Sequence, residues 1–299
     1  MPVIDAHVHL YPPEINRDPS GWARDAGESA WAMMSTRVRK NGRPVQGFPS
    51  DTALLHAMDR AGVERSVLLG WYWEKAKSCE FQNRFLARTI AAHPDRFSAL
   101  AALQPRAGAA WALAELARVK SEGFAGLGEL CPPAQGYRMD GPELAAVLEA
   151  AAGLAVNFHV TDPQGRPYPG RIETPLPEFV DLARRHPDVT VILAHWGGLL
   201  PFTAAARPVL PSNVYYDTAA SPLLYDPSLW ARFVAAVGPG KVLFGSDYPL
   251  ELYPAIPGRG VGPLLAEARA SGLSEASLAS ILYGSAKRLI VQRQAPEAL

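Results

Sequence analysis

Apolar residues recur along the chain in short runs, and polar residues follow many of these runs directly. Short runs that are rich in Val, Ile, Leu and Ala predict buried strands. The segments between them predict helices, so strand and helix alternate almost to the end of the chain. The predicted strands are residues 3–7, 65–71, 97–103, 125–130, 155–160, 189–195, 214–218 and 242–246, and the predicted helices are residues 52–61, 80–92, 109–122, 142–152, 175–185, 228–236, 261–270 and 275–292.

This alternation predicts one α/β domain over residues 1–299, folded as a TIM-type (β/α)8 barrel. A barrel of this kind needs about 250 residues, so the chain has room for one long insertion. The insertion is residues 11–50, a long loop excursion after strand one that we expect to fold over the site. Residues 275–292 predict an extra C-terminal helix that covers the barrel wall.

Composition narrows the class of protein. The chain has 29 basic and 29 acidic side chains, and this balance argues against a partner that is duplex nucleic acid. Two cysteines do not make a disulfide framework. The first residues lack the pattern of a secretory signal, and no apolar run has the roughly 18 residues of a membrane span. We therefore expect a cytoplasmic protein with a small-molecule substrate and no membrane partner. The sequence leaves open whether the chain forms a homo-oligomer.

Several side chains that bind metal ions well stand at or near the ends of predicted strands. Because the parallel strands of a barrel end at one face, these side chains are expected to converge there. A divalent metal site, with zinc as the expected ion, is the simplest reason for such an arrangement. The residues are His7 and His9 in VIDAHVHL, Glu129 in GLGEL, His159 in VNFHV, His195 in VILAHWGG and Asp247 in VLFGSDYP.

Each of these residues also has an ordinary structural interpretation. His159 or His195 alone could be a core histidine that bonds to a backbone carbonyl. Glu129 could be a helix-facing carboxylate, and Asp247 could open a turn. The His-x-His pair is weak evidence alone, although the strand period of two places both rings on one face. All of these readings together would require several independent coincidences at one face, so the pattern favours the metal site.

These motifs resemble the amidohydrolase superfamily, in its amidohydrolase-related branch. That branch is also called amidohydrolase 2 and contains the aminocarboxymuconate-semialdehyde decarboxylase type. The resemblance extends from DAHVH at the start to LYGSAKRLI near the end, where Ser285 stands in place of the family's usual Asn. It is carried by the pair His7 and His9, by His159 and His195, and by Asp247 within GSDYP.

The resemblance implies a barrel whose matching residues hold at least one metal ion. Glu129 resembles the strand-four glutamate of TatD-type nucleases, which can bridge two ions. Members of the decarboxylase-like branch commonly lack that bridge. One ion is therefore expected, and a second ion stays open.

The chemistry that the resemblance implies is hydrolysis of a carboxylic ester, lactone or amide by a metal-activated water. Asp247 would hold that water and take its proton, and His195 would polarise the substrate oxygen or bind a second metal ion. The alternative at the same site is non-oxidative decarboxylation of an unsaturated or aromatic carboxylic acid. Glu129 and the opening DAHVH lead us to expect a hydrolase first.

Aromatic residues at strand ends are the expected walls of the substrate pocket. Buried packing is the alternative for at least half of them. The first long loop also carries several basic side chains, which either clamp a substrate carboxylate or are simply solvated. The aromatic residues are Trp71, Trp73, Trp196 and Tyr248, and the basic residues are Arg37, Arg39, Lys40 and Arg43.

Overall fold

A computed structural model describes residues 1–206, 209–255 and 260–292 of the chain. Its eight strands pair in sequence order in one parallel sheet, so each strand lies beside the next one along the chain. Helices fill the connections, as parallel pairing requires. This arrangement confirms the predicted (β/α)8 barrel. The strands are β1 Ile4–His9, β2 Arg65–Leu69, β3 Phe97–Ala101, β4 Gly126–Leu130, β5 Ala155–Phe158, β6 Thr190–Leu193, β7 Val214–Asp217 and β8 Val242–Leu243.

Thirteen α-helices are found within the part of the chain that the structure describes. The last of them continues as π-helical turns at Ser280–Gly284 and Lys287–Val291, so helical structure covers most of the predicted segment 275–292. The α-helices are α1 Pro13–Arg17, α2 Pro19–Ala26, α3 Ser29–Ser35, α4 Asp51–Ala61, α5 Ala76–Ala92, α6 Ala109–Ser121, α7 Pro132–Gln135, α8 Pro142–Ala150, α9 Leu176–Arg185, α10 Ser221–Leu224, α11 Leu229–Val237, α12 Val261–Arg269 and α13 Glu275–Ala279.

The first and last strands meet and close the barrel. The backbone N–H of Ala6 donates to the Phe244 carbonyl at 2.8 Å, and the N–H of Asp247 donates to the His7 carbonyl at 2.9 Å. Strand β8 itself has only two residues, but these bonds continue the contact with β1 beyond its end. The first and last strands are therefore joined beside the predicted metal ligands.

The long insertion contains more structure than a loop. Helices α1 to α3 lie in it, and Asp18 caps α2 by accepting a hydrogen bond from the N–H of Gly21 at 2.9 Å. Its second half then forms an antiparallel bridge between Gln46 and Leu250, in the loop after β8. The sequence pattern missed these helices because each has eight residues or fewer. The insertion thus folds back over the carboxyl ends of the strands.

The register of β1 shifts in the middle of the strand, between Asp5 and Val8. Before the shift, Ile4 and Ala6 pack in the core inside the barrel. After it, Val8 packs in the outer layer between strands and helices. Strict alternation would place Ala6 and Val8 on the same face. The shift therefore turns the two histidines of the His-x-His pair into the barrel mouth.

Strand β4 has the same kind of irregularity, between Leu127 and Leu130. Both of these leucines pack in the outer layer, and the buried Glu129 between them points to the histidines of the barrel mouth. Close packing of β4 on β5 needs a glycine, because a Cβ at Gly126 would lie 2.0 Å from the Ala155 carbonyl oxygen. The second shift thus brings a carboxylate to the same end of the barrel.

Among the residues that the structure describes, no helix combines the length and the apolar character needed to cross a bilayer.

Replacing Gly126 with Ala is expected to lower the free energy of unfolding by about 3 kcal/mol or more, because the new methyl group overlaps a backbone oxygen that cannot move freely. Gly240→Ala is the control, since a Cβ there meets no atom within 4 Å and should change stability by less than about 0.5 kcal/mol. Denaturant unfolding measures both. Equal stabilities of the two variants would contradict the described contact.

Candidate functional site

All six predicted metal-affine residues lie at the carboxyl ends of the strands. Two donor groups can be distinguished by distance, because the possible ligand atoms within each group lie within 4.8 Å of one another. We call His7, His9 and Asp247 the first donor group. The second donor group consists of Glu129, His159 and His195. Except for Asp247, which is partly exposed, all of these residues are buried.

In the first donor group, two imidazole nitrogens approach each other closely. The Nε2 atoms of His7 and His9 are 3.2 Å apart, and Oδ1 of Asp247 lies 3.8 Å from the first and 3.6 Å from the second. Two nitrogens bound to one zinc ion at 2.0–2.1 Å in tetrahedral geometry would be about 3.3 Å apart. The spacing thus fits a single cation between these atoms.

The hydrogen-bond partners of the two rings fix where their hydrogens lie. Nδ1 of His7 is 2.9 Å from Oδ2 of Asp217, and Nδ1 of His9 is 3.2 Å from the carbonyl oxygen of Leu69. A carboxylate and a carbonyl only accept, so each Nδ1 carries a hydrogen and Nε2 is the nitrogen of each ring that can bind a cation. Two buried Nε2 atoms that face each other at this distance need a proton or a metal cation between them. The donor chemistry of the site therefore fits a divalent metal ion.

In the second donor group, Glu129 joins two histidines. Its Oε1 is 2.9 Å from Nδ1 of His159 and 3.6 Å from Nε2 of His195. Nδ1 of His195 is 3.1 Å from the Ala219 carbonyl oxygen and so carries its hydrogen. The other carboxylate oxygen of Glu129 lies 3.8 Å from Nε2 of His9. The two groups are thus adjacent, and the second could hold another cation or move a proton.

The buried carboxylates and imidazoles of the site shift each other's pKa values. Burial alone would lower the pKa of His7, but the Asp217 carboxylate outweighs burial and, with Glu129 and Asp247, raises that pKa to about 10. Burial would raise the pKa of Glu129, yet the neighbouring histidines, His159 first, hold it well below its ordinary value. A site that stabilises positive charge on a buried imidazole also attracts a metal cation.

A seventh residue, Asp217, belongs to this site and was not selected from the sequence. It is fully buried at the end of β7 and bonds to the ring of His7. It stands at a strand end as the six selected residues do, in the run VYYD. That position was the available signal, and the same rule applied to β7 would have found it.

A cavity of about 570 Å³ opens above the two donor groups. Trp71 lines it, as predicted for a substrate-binding residue. The insertion and the loop after β5 form much of its outer wall, which includes basic side chains. The cavity is large enough for an organic substrate. Its basic lining residues are Arg37, Arg39, Arg166 and Arg171.

The structure does not bring the other predicted aromatic residues to this cavity. Trp73 is fully buried and donates through Nε1 to Gln82 at 2.7 Å. Trp196 follows His195 in a left-handed turn that directs its ring onto Trp230 in the outer layer. Tyr248 packs against the outer core as well. Three of the four rings therefore have the packing role that was the alternative interpretation.

Comparison with known proteins places the chain in a family. The sequence model of the amidohydrolase family matches residues 4–290, so the chain belongs to this family. It is 25% identical over 304 residues to the 2-amino-3-carboxymuconate-6-semialdehyde decarboxylase of Dictyostelium discoideum, with 86% of this chain and 84% of the relative covered. It is 27% identical over 300 residues to the 6-methylsalicylic acid decarboxylase of Aspergillus aculeatus, with 82% and 84% covered.

Solved structures share the fold. The 5-carboxyvanillate decarboxylase of Sphingomonas paucimobilis superposes with a TM-score of 0.73 at 19% identity, over 97% of this chain and 98% of that chain. The 5-carboxyvanillate decarboxylase of Novosphingobium aromaticivorans, solved with manganese, gives a TM-score of 0.71 at 14% identity, over 96% and 95%. At these identities the likeness shows the fold alone.

The expectation that the chain is first of all a hydrolase is wrong. Both curated relatives named above, which match most of the chain, are decarboxylases. The physical reason for the error is that histidine and carboxylate ligands serve either reaction. The presence of Glu129 and the DAHVH motif did not distinguish them.

Removing divalent cations with a chelator is expected to lower the melting temperature. An ion present at 100 times its dissociation constant stabilises the folded chain by about 2.7 kcal/mol, which corresponds to roughly 4 °C for a chain of 299 residues. The His9→Gln variant is the control, because it has lost one ring of the first donor group and should respond much less. Calorimetry with and without chelator measures the difference, and identical melting temperatures for the wild type would contradict a cation site.

Proposed function

We propose that this amidohydrolase-family protein is a metal-dependent, non-oxidative decarboxylase of an aromatic or conjugated carboxylic acid. The observation that carries the proposal is one cavity with two groups of candidate metal ligands side by side at its base and arginines in its wall. The two decarboxylase relatives support it. Such a site offers the charge and the proton that this reaction needs.

The reaction sets definite demands on the chain. The bond between a ring or alkene carbon and the carboxylate breaks, its electron pair stays on that carbon, a proton joins the same carbon, and carbon dioxide leaves. No oxidant is consumed. The protein must therefore orient the carboxylate, stabilise negative charge on the substrate and deliver one proton.

The first donor group is proposed to hold the cation. His7, His9 and Asp247 offer two imidazoles and a carboxylate, a set that suits manganese or zinc. When bound, a divalent cation supplies a fixed positive charge that stabilises the oxygens of an acidic substrate. Manganese is favoured by the manganese in a solved relative of the same fold. One ion for each chain is proposed.

The second donor group is proposed to supply the proton. His195 lines the cavity, and its Nδ1–H is fixed on the Ala219 carbonyl, so Nε2 is the atom that exchanges a proton. Burial lowers the pKa of His195, but the Glu129 carboxylate, 3.6 Å from Nε2, and the charge of Asp247 outweigh burial and raise it. His195 is thus suited to carry a proton to the substrate carbon, and Glu129 stabilises the charged ring.

Arg37 is proposed to bind an acidic group of the substrate. Its neighbour Arg39 donates to the Glu251 carbonyl at 3.0 Å, and Arg171 donates to the Asp162 carbonyl at 2.9 Å. The guanidinium of Arg37 lines the cavity and makes no hydrogen bond or ion pair with any residue that the structure describes. An uncommitted guanidinium in a cavity wall matches the geometry of a carboxylate.

The metal-loaded protein is expected to release carbon dioxide from a member of a panel of aromatic and conjugated carboxylic acids. His195→Gln should lower kcat by about 100-fold or more, because it removes a proton donor, while metal content stays at one ion. His56→Gln, in the exposed part of α4, is the control and should keep full activity. Carbon dioxide release and metal analysis measure these outcomes.

Two results would count against these assignments. If no acid of the panel is decarboxylated, the proposed reaction fails. If the wild type holds two ions and His195→Gln holds one, then His195 binds a cation and does not deliver the proton.

Arg37→Met is expected to raise KM for the acidic substrate by about 10- to 100-fold with a smaller effect on kcat, because it removes a charge-assisted hydrogen bond made to the bound substrate. Lys40→Met changes a neighbouring exposed charge of the insertion that does not line the cavity. It should leave both constants unchanged. Steady-state kinetics of the two variants measure the effect, and equal KM values would rule out this role of Arg37.

A further inference from the structure

We propose that Asp217 is a positioning residue that fixes the two donor groups of the candidate metal site relative to each other. With one carboxylate it fixes the ring of His7 in the first group and the backbone of His195 in the second. The inference rests on the cation site of the proposed function and is independent of which reaction the site performs.

The carboxylate of Asp217 is surrounded by four donors from different strands. Oδ2 is 2.9 Å from Nδ1 of His7 on β1 and accepts from Nδ2 of Asn157 on β5 at 2.9 Å. Oδ1 accepts from the backbone N–H of His195 after β6 at 3.1 Å and from that of Ala219 at 3.0 Å. Four donors match the number of lone-pair positions that a carboxylate offers. The side chain is fully buried, so water does not compete for these positions.

For the first donor group, Asp217 decides which nitrogen of His7 faces the cation. A carboxylate can only accept, so Nδ1 keeps a hydrogen and Nε2, which faces His9, is the nitrogen left to bind a cation. If a donor replaced this acceptor, Nδ1 would have to accept and Nε2 would carry the hydrogen. His7 would then be unable to bind a cation without breaking a buried hydrogen bond.

For the second donor group, Asp217 holds an uncommon backbone conformation. His195 has a φ of 57°, in the left-handed region that costs a residue with a Cβ roughly 1–2 kcal/mol. The hydrogen bond from its N–H to Oδ1 stabilises that conformation. The turn directs the ring to the cavity, with Nδ1 on the Ala219 carbonyl. The same carboxylate also accepts a hydrogen bond from the N–H of Ala219. It therefore orients both the ring of His195 and the Ala219 carbonyl to which that ring is bonded.

A merely structural role for this carboxylate predicts something different. A buried group that only stabilises the fold would change the unfolding free energy with and without metal by the same amount. A positioning residue changes the affinity of the folded chain for the cation. The metal dissociation constant therefore separates the two roles, and it does not require a known substrate.

The test is Asp217→Asn in the full-length chain, which keeps the shape of the side chain but replaces one acceptor with a donor. We expect the dissociation constant for Mn²⁺ and for Zn²⁺, measured by competition with a chromophoric chelator, to rise about 10- to 100-fold. Asn157→Ala is the matched control. It removes another buried hydrogen bond to the same Oδ2 but leaves the acceptor of His7 intact, so it should change the constant less than about threefold.

Unchanged affinity in a folded Asp217→Asn protein would overturn the proposal, as would an equal loss in both variants. If Asp217→Asn does not fold, NMR of the zinc-loaded wild type still tests it. The proposal predicts that His7 carries its hydrogen on Nδ1, seen as a slowly exchanging proton bonded to that nitrogen. A hydrogen found on Nε2 would overturn it. None of these measurements depends on enzyme turnover, so they test the role of Asp217 even if the proposed decarboxylation is wrong.

Discussion

The end of the barrel is organised around one electrostatic constraint, which is that buried imidazole lone pairs directed at the same point need a positive charge between them. Backbone and carboxylate acceptors take the Nδ1 hydrogens of His7, His9 and His195, and this leaves the Nε2 atoms of all three to bind a proton or a cation. These acceptors come from other strands of the barrel and from their loops. The barrel therefore fixes the direction of each lone pair before any cation binds.

The position of the site could be predicted from the sequence, because polar residues at the ends of parallel strands must meet at one face. The orientation of individual side chains could not be predicted in the same way. Strict alternation from Ile4 and Ala6 places His7 and His9 on the opposite face, and only the register shift in β1 brings all four to the barrel interior. A single sequence does not reveal such a shift, since it depends on the pairing with the neighbouring strand.

The aromatic side chains show a second limit of sequence reasoning. Proximity to a strand end indicated that Trp196 would face the substrate, yet the backbone turns left-handed at that residue and buries the ring. The reverse holds for the basic residues of the insertion. Their role depends on whether each guanidinium has a hydrogen-bond partner inside the protein. The structure distinguishes the two, because Arg39 donates to a backbone carbonyl and Arg37 donates to none that the structure describes. The reaction class could not be predicted from the ligands, because the same set of histidines and carboxylates supports hydrolysis and decarboxylation.

Joining the first strand to the last has a consequence for how the protein is made. His7 and Asp247 belong to the same donor group but stand 240 positions apart in the chain. A growing polypeptide on the ribosome has no complete first donor group until Asp247, which follows the final strand, has been synthesised. If the first donor group holds the cation as proposed, the ion is acquired late, by a nearly finished barrel, and translation products that end before Asp247 lack one of its three ligands.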